Sequence, residues 1–229
     1  MLKSRARATN GSAITSTLGA SARHSPMPYL TSPAALDSLI GTVGEASRRK
    51  EVSTIHPVYR AWIAQSPFAV LATVGPDGLD TSPRGDPAPL VRVVDERTLL
   101  LPERRGNNRV DSRRNILHDP RVSLIFLVPG VGETLRVNGE ARICVDPAVL
   151  ASFAMQGQVP KCVIEVAVKA VFFQCARALQ RSALWTAEQV AGKRVVPSAG
   201  EMLGALTEGG IDGVAYDQAL PARQAASLY

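Results

Sequence analysis

Apolar and polar positions change period along the chain. From Ser32 the apolar residues Leu36, Leu39, Ile40 and Val43 recur at i, i+3, i+4 and i+7 behind Pro33, the pattern of one helix face with proline at its first position. A second short helix, opened by Pro57 and carrying Tyr59, Trp62 and Ile63, must stop before Pro67, because the residue ahead of a proline is pushed out of helical conformation. After Ser66-Pro67 the period becomes that of strands. Phe68–Val74 is apolar on both faces, Gly75-Pro76-Asp77-Gly78 is a turn, and Leu79–Arg84 alternates, which together predict a hairpin. Further strands are predicted at Leu90–Val94, Thr98–Leu101, Val122–Val128, Thr134–Val145 and Cys162 to about Phe173. Helices are predicted near Asn108–His118, Pro147–Gln156 and Ala199–Leu206.

Strands outnumber helices and short turns join most of them, so the chain reads as mainly β with peripheral helices, its antiparallel sheet closing into a barrel. Residues 29–66 supply N-terminal helices, 67–185 the barrel and 186–229 a helical or irregular tail. Residues 1–28 hold no acidic side chain and no long apolar run, so they are expected to be a disordered extension or a misplaced gene start rather than a secretory or transit peptide. A length of 229 residues suits one core with appendages.

Charge changes the picture less than its total suggests. The net charge is +6, but residues 1–50 hold seven basic against two acidic side chains, so the body is nearly neutral and lacks the footprint of a nucleic-acid binder. No apolar run approaches the roughly 20 residues that cross a bilayer, so no membrane partner is expected. Cys144, Cys162 and Cys175 are widely spaced and form no CxxC pair, which argues against a disulfide framework or zinc site and for a reducing cytoplasm.

Two strands carry rows of polar side chains. Thr134, Arg136, Asn138, Glu140 and Arg142 share one face, and Asp80, Ser82 and Arg84 another; either row is a solvated face or an anion site. Gly106-Asn107-Asn108-Arg109 opens a predicted helix whose free amides and dipole suit a phosphate, although a capped helix start uses the same atoms. No GxGxxG follows a strand, no Walker sequence occurs, and no nucleophile elbow is present, so redox chemistry would have to come from a cofactor.

Four motifs in order carry a resemblance. Ser66-Pro-Phe-Ala-Val-Leu-Ala-Thr-Val74, Asp80-Thr-Ser-Pro-Arg-Gly-Asp86, Gly106-Asn-Asn-Arg109 with Asp111, Ser112 and Asn115, and Gly130-Val-Gly-Glu-Thr-Leu-Arg-Val-Asn-Gly139 resemble the pyridoxamine 5'-phosphate oxidase-related family of FMN-binding split barrels. Phe173–Trp185 is similar to that branch's C-terminal motif, with Ala178 where a lysine is common. The resemblance implies a split β-barrel of Greek-key type, a homodimer with FMN between its subunits, and an oxidoreductase acting on a small-molecule substrate, with NADH or NADPH as a candidate electron donor. By the same resemblance Arg84, Asn108 and Arg109 are phosphate ligands and Ser82 their neighbour. Thr134 falls where the oxidase places a flavin-contacting Gln, Arg136 shares its face, and Arg181 and Trp185 reach the partner's flavin. It does not extend to the oxidase's substrate-binding Arg and His residues. The alternatives are a flavin protein without turnover, and a haem or deazaflavin split barrel; haem would need a placed histidine, which His24, His56 and His118 do not offer.

Overall fold

The computed structural model describes residues 29–191 and 194–229, so the expectation for residues 1–28 lies outside the described part. The chain divides into two units, residues 1–43 and 44–229. In the first, α1 (Pro33–Ile40) forms where the periodicity predicts it, with Ser32 Oγ accepting from the Ala35 amide at 3.2 Å.

The second unit is built on seven antiparallel strands: β1 (Phe68–Gly75), β2 (Gly78–Gly85), β3 (Arg92–Val93), β4 (Thr98–Pro102), β5 (Arg121–Leu127), β6 (Thr134–Cys144) and β7 (Val163–Gln174). Their order across the sheet is β2-β1-β5-β6-β7-β4-β3. This is the expected split-barrel arrangement, mainly antiparallel; the closure expected from the short turns is not made by strand pairing. The chain between β2 and β3 runs Asp86-Pro87-Ala88-Pro89, and two prolines remove the donors that a closing ladder would need. The strand expected at Leu90–Val94 shrinks to Arg92–Val93, because the Leu90 amide donates to the Ser66 carbonyl at 3.0 Å rather than to β4.

Alternation sets the sidedness. Ala69, Leu71 and Thr73 of β1, Val122, Leu124 and Phe126 of β5, and Leu135 and Val137 of β6 point inward and are buried. Leu99 and Leu101 of β4 and Val166 complete that core, with Ile63 from α3 (Pro57–Ala64) fully buried against it. Besides α2 (Glu45–Arg49), helices decorate the sheet: α4 (Asp111–His118), α5 (Pro147–Ala151), α6 (Arg177–Ser182) and α7 (Ala187–Ala191). α8 (Ala199–Leu206) and α9 (Gly213–Ala225) pair with one another in the tail. α5 is shorter than expected: it ends at Ala151, and beyond it Met155 bridges Gln158 across a turn in which Gln156 and Gly157 take left-handed backbone angles.

The largest departure near the site is the start of α4. Expected from Asn108, the helix begins at Asp111, behind Val110, which offers no side-chain cap. Asn107 Oδ1 instead accepts from the Arg109 amide at 3.0 Å, and Asn108 takes a left-handed φ of 58°, a local turn that competes with helix. α4 is fixed to the sheet through its inner stripe: Ser112 and Ile116 are buried, and Asn115 Nδ2 donates to Thr73 Oγ1 at 3.0 Å.

Candidate functional site

β2 is an edge strand whose inner row, Asp80, Ser82 and Arg84, has only β1 beside it. This row faces the segment after β4, the start of α4 and the segment before β7 across a cavity of about 1030 Å³. Ser227 and Tyr229 close part of the rim, and Arg105 Nη1 donates to the Tyr229 carbonyl at 3.3 Å. Arg104, with Nε on Asp86 at 2.7 Å and Nη1 on the Phe153 carbonyl at 2.7 Å, partitions it from a second cavity of about 540 Å³.

Four of the residues singled out in the sequence line this cavity: Ser82, Arg84, Asn108 and Arg109. They do not converge as expected. Arg84 is largely buried, and its Nη1 lies 2.9 Å from Glu103 Oε1. Arg109 remains 77% exposed at the rim with Nε on Asp111 at 2.9 Å, and Asn108 is exposed in the turn. Arg84 is joined instead by Arg113, one helical turn further on, whose Nη1 lies 2.6 Å from the same Glu103 oxygen. Ser82 Oγ meets the Oγ of buried Ser112 at 3.1 Å. Arg84 Nε and Glu103 Oε2 are buried without a partner among the described residues.

Sequence reasoning missed Arg113, Ser112 as a side-chain contact, and Glu103. The signal for Glu103 was present: Leu99, Leu101 and Glu103 share one strand period, so the row that fills the core ends in a carboxylate. Arg113 was hidden by the misplaced helix start.

The remaining four residues lie elsewhere. The pairing Arg84↔Ala69, Ala69↔Phe126 and Phe126↔Leu135 puts Arg84 on the face of Leu135, so Thr134 and Arg136 occupy the opposite face. Thr134 is buried, with Oγ1 3.5 Å from Gln174 Oε1, and the Arg136 guanidinium lies 5.3 Å from the Phe172 ring. Trp185 Nε1 donates to the Val131 carbonyl at 2.9 Å, and Arg181 is exposed on α6. Within one copy these residues do not line the cavity of Arg84.

Cys162 also borders the cavity. Burial, then the nearby Glu103 charge, pushes its thiol pKa up, so the cysteine stays protonated at neutral pH and is a poor nucleophile. Among the described residues no group of three or more His, Cys, Asp or Glu side chains is placed to hold a metal ion, and no helix is long and apolar enough to cross a membrane.

Residues 55–175, just over half of the chain, match the family model of pyridoxamine 5'-phosphate oxidase. A comparison with curated proteins gave no match. Among solved structures the chain is similar to a tagged variant of HupZ from Group A Streptococcus, at 22% identity, covering 52% of this chain and 99% of that one, with a TM-score of 0.44. It is similar to an F420 reductase at 21% identity, covering 49% and 94%, with a TM-score of 0.36. A third similar structure is the FAD binding protein from Mycobacterium smegmatis, at 18% identity, covering 54% and 97%, with a TM-score of 0.36. With the family model matched from Ile55 to Cys175, across all seven strands, the chain belongs to the pyridoxamine 5'-phosphate oxidase family.

Proposed function

We propose that this chain binds FMN, its phosphate in the Arg84–Arg113 corner of the larger cavity, and acts as a homodimeric flavin-dependent oxidoreductase on a small organic substrate. The observation that carries this reading is the meeting of two arginines from separate elements at one largely buried point. A phosphate dianion leaving water must find fixed donors and positive charge. Arg84 and Arg113 supply both, the Ser82 and Ser112 hydroxyls lie on adjoining elements, and the buried Arg84 Nε is a donor that finds no acceptor among the described residues. These residues fit the phosphate of FMN.

When bound, FMN supplies hydride transfer that no side chain here provides. The chain's own part is to bind and orient. Arg84 on β2 and Arg113 on α4 would hold the phosphate, and Cys162 stays a thiol. NADH or NADPH is the electron donor in this proposal, and the three free cysteines support a reducing, cytoplasmic setting. The dimer is part of this proposal because Thr134 and Arg136 lie on the face opposite Arg84, and they, with Arg181 and Trp185, which do not line the Arg84 cavity either, would contact a cofactor there from a second copy.

Titration of apoprotein with FMN and riboflavin tests the reading. Arg84→Ala and Arg113→Ala are each expected to weaken FMN by about 2–3 kcal/mol, on the order of a hundredfold, and to leave riboflavin nearly unchanged. Equal affinity of the wild-type protein for FMN and riboflavin would reject the phosphate site. NADPH or NADH oxidation by the loaded protein, followed by absorbance, tests turnover.

A further inference from the structure

Glu103 sits where a strand of this pattern ordinarily ends in an apolar or surface residue. It continues the inward row of Leu99 and Leu101, is 8% exposed, and its amide donates to the Cys162 carbonyl at 3.1 Å, which locks its backbone beside β7. Its Oε1 alone takes both guanidiniums, Arg84 at 2.9 Å and Arg113 at 2.6 Å, while its Oε2 is buried and unpartnered among the described residues. An arginine and a carboxylate usually meet in a two-armed fork. Here one oxygen is shared: Arg84 Nη1 donates to it, and Arg113 Nη1 contacts it as an ion pair while its Nη2 donates to the Arg109 carbonyl at 3.4 Å.

Two guanidiniums brought together out of water repel strongly, more so as the local dielectric falls. One carboxylate between them leaves the trio with a single net positive charge. We infer that Glu103 is the internal counter-ion of this anion site: a positioning residue that holds Arg84 and Arg113 together while the site is empty and limits how strongly it attracts anions. The inference rests on reading the cavity as a phosphate site. A phosphate dianion carries the trio past neutrality, and the carboxylate opposes its second charge. Removing the carboxylate charge while keeping its shape therefore destabilises the empty site and strengthens its grip on phosphate.

Glu103→Gln separates the two effects. The variant apoprotein is expected to melt several degrees below wild type, because two partly desolvated cations lose their counter-ion. Its preference for FMN over riboflavin should rise on the order of tenfold, and inorganic phosphate should raise its melting temperature more than that of wild type. The double variant Glu103→Gln/Arg113→Gln should regain melting temperature relative to the single variant, since the surplus cation is gone, and should bind FMN less selectively. A carboxylate that merely fills space predicts otherwise: the double variant less stable than the single, and FMN and riboflavin weakened alike. Either of those results, or an FMN-to-riboflavin ratio in Glu103→Gln equal to wild type, overturns the inference. If Glu103→Gln does not fold, the double variant decides, a folded protein supporting the counter-ion role and an unfolded one overturning it. Wild-type protein that does not prefer FMN over riboflavin removes the phosphate reading itself, and with it the role of Glu103.

Discussion

Arg109 and Arg113 differ in sequence by one helical turn and in structure by what surrounds them. Arg109 is mostly solvated and tied to Asp111, whereas Arg113 is 22% exposed and anchored on a buried carboxylate. A charge-assisted bond gains most where water cannot compete. Arg109→Ala is accordingly expected to weaken FMN by less than about 1 kcal/mol, against about 2–3 kcal/mol for Arg113→Ala. The solvent-facing Arg114 serves as the silent control, and titration of the three variants checks the order. A larger loss at Arg109 would restore it as a principal ligand. Cys162 invites a second test, because it borders the cavity yet is held as a thiol by burial and by Glu103. Cys162→Ser is expected to leave flavin-linked NADPH or NADH oxidation within a few fold of wild type, and abolished turnover in a folded variant would point to thiol chemistry.

Elements near the core were legible from the sequence, and those whose boundaries depend on a turn were not. β1, β2, β5, β6 and β7 fall within one or two residues of the expected spans, because alternation against a buried face leaves a clear period. The start of α4 was misread because an asparagine preceding a helix is equally a cap and an Asx-turn former, and here Asn107 takes the turn. Half of the candidate site was thereby displaced, from Arg109 to Arg113. α9 gave little signal, since Pro221 lies inside it and no apolar stripe marks a face. Its hold on α8 is local: a Cβ at Gly200 would strike the Gly213 carbonyl, and Asp217 accepts from Ser198 Oγ and from the Gly200 amide at 2.8 Å. The Ser198 hydroxyl, then the Gly200 amide, lower the Asp217 pKa. A depressed folded value means that the contribution is complete above the ordinary aspartate value of about 4 and is lost as pH falls through the folded one. Amide exchange in α8 and α9 should therefore accelerate on acidification below about pH 4, corrected for intrinsic rates, and Asp217→Asn should accelerate it already at pH 7. Exchange that is insensitive to both would show that Asp217 does not lock the hairpin.

At the scale of the whole molecule the sheet has an outer face with a half-buried apolar stripe. The register aligns Pro83, Val70, Ile125, Arg136 and Phe172 in one row across five strands, and Gly85, Phe68 and Leu127 in the row beside it. Val70, Ile125 and Leu127 are only half-buried and Phe68 is 37% exposed. An apolar stripe ending in arginine and aromatic side chains has the composition of an interface core. It is also the face that carries Thr134 and Arg136 away from the Arg84 cavity, so a two-fold partner that covers the stripe can bring them toward the cavity of the other copy. Ile125→Glu places a charge in the middle of that row without entering the inner core. A stable interface of ordinary size buries about 800 Å² on each partner, and an unpaired carboxylate at its centre costs several kcal/mol. The expected result is a monomer by sedimentation at micromolar concentration, with a native far-ultraviolet spectrum. FMN affinity should fall with it, because half of each site would come from the missing partner. Leu206→Glu, a charge on an 82% exposed position of α8, should change neither. Wild-type protein that sediments as a monomer with flavin bound in full would refute the shared site. An Ile125→Glu protein that remains dimeric would place the interface on another face.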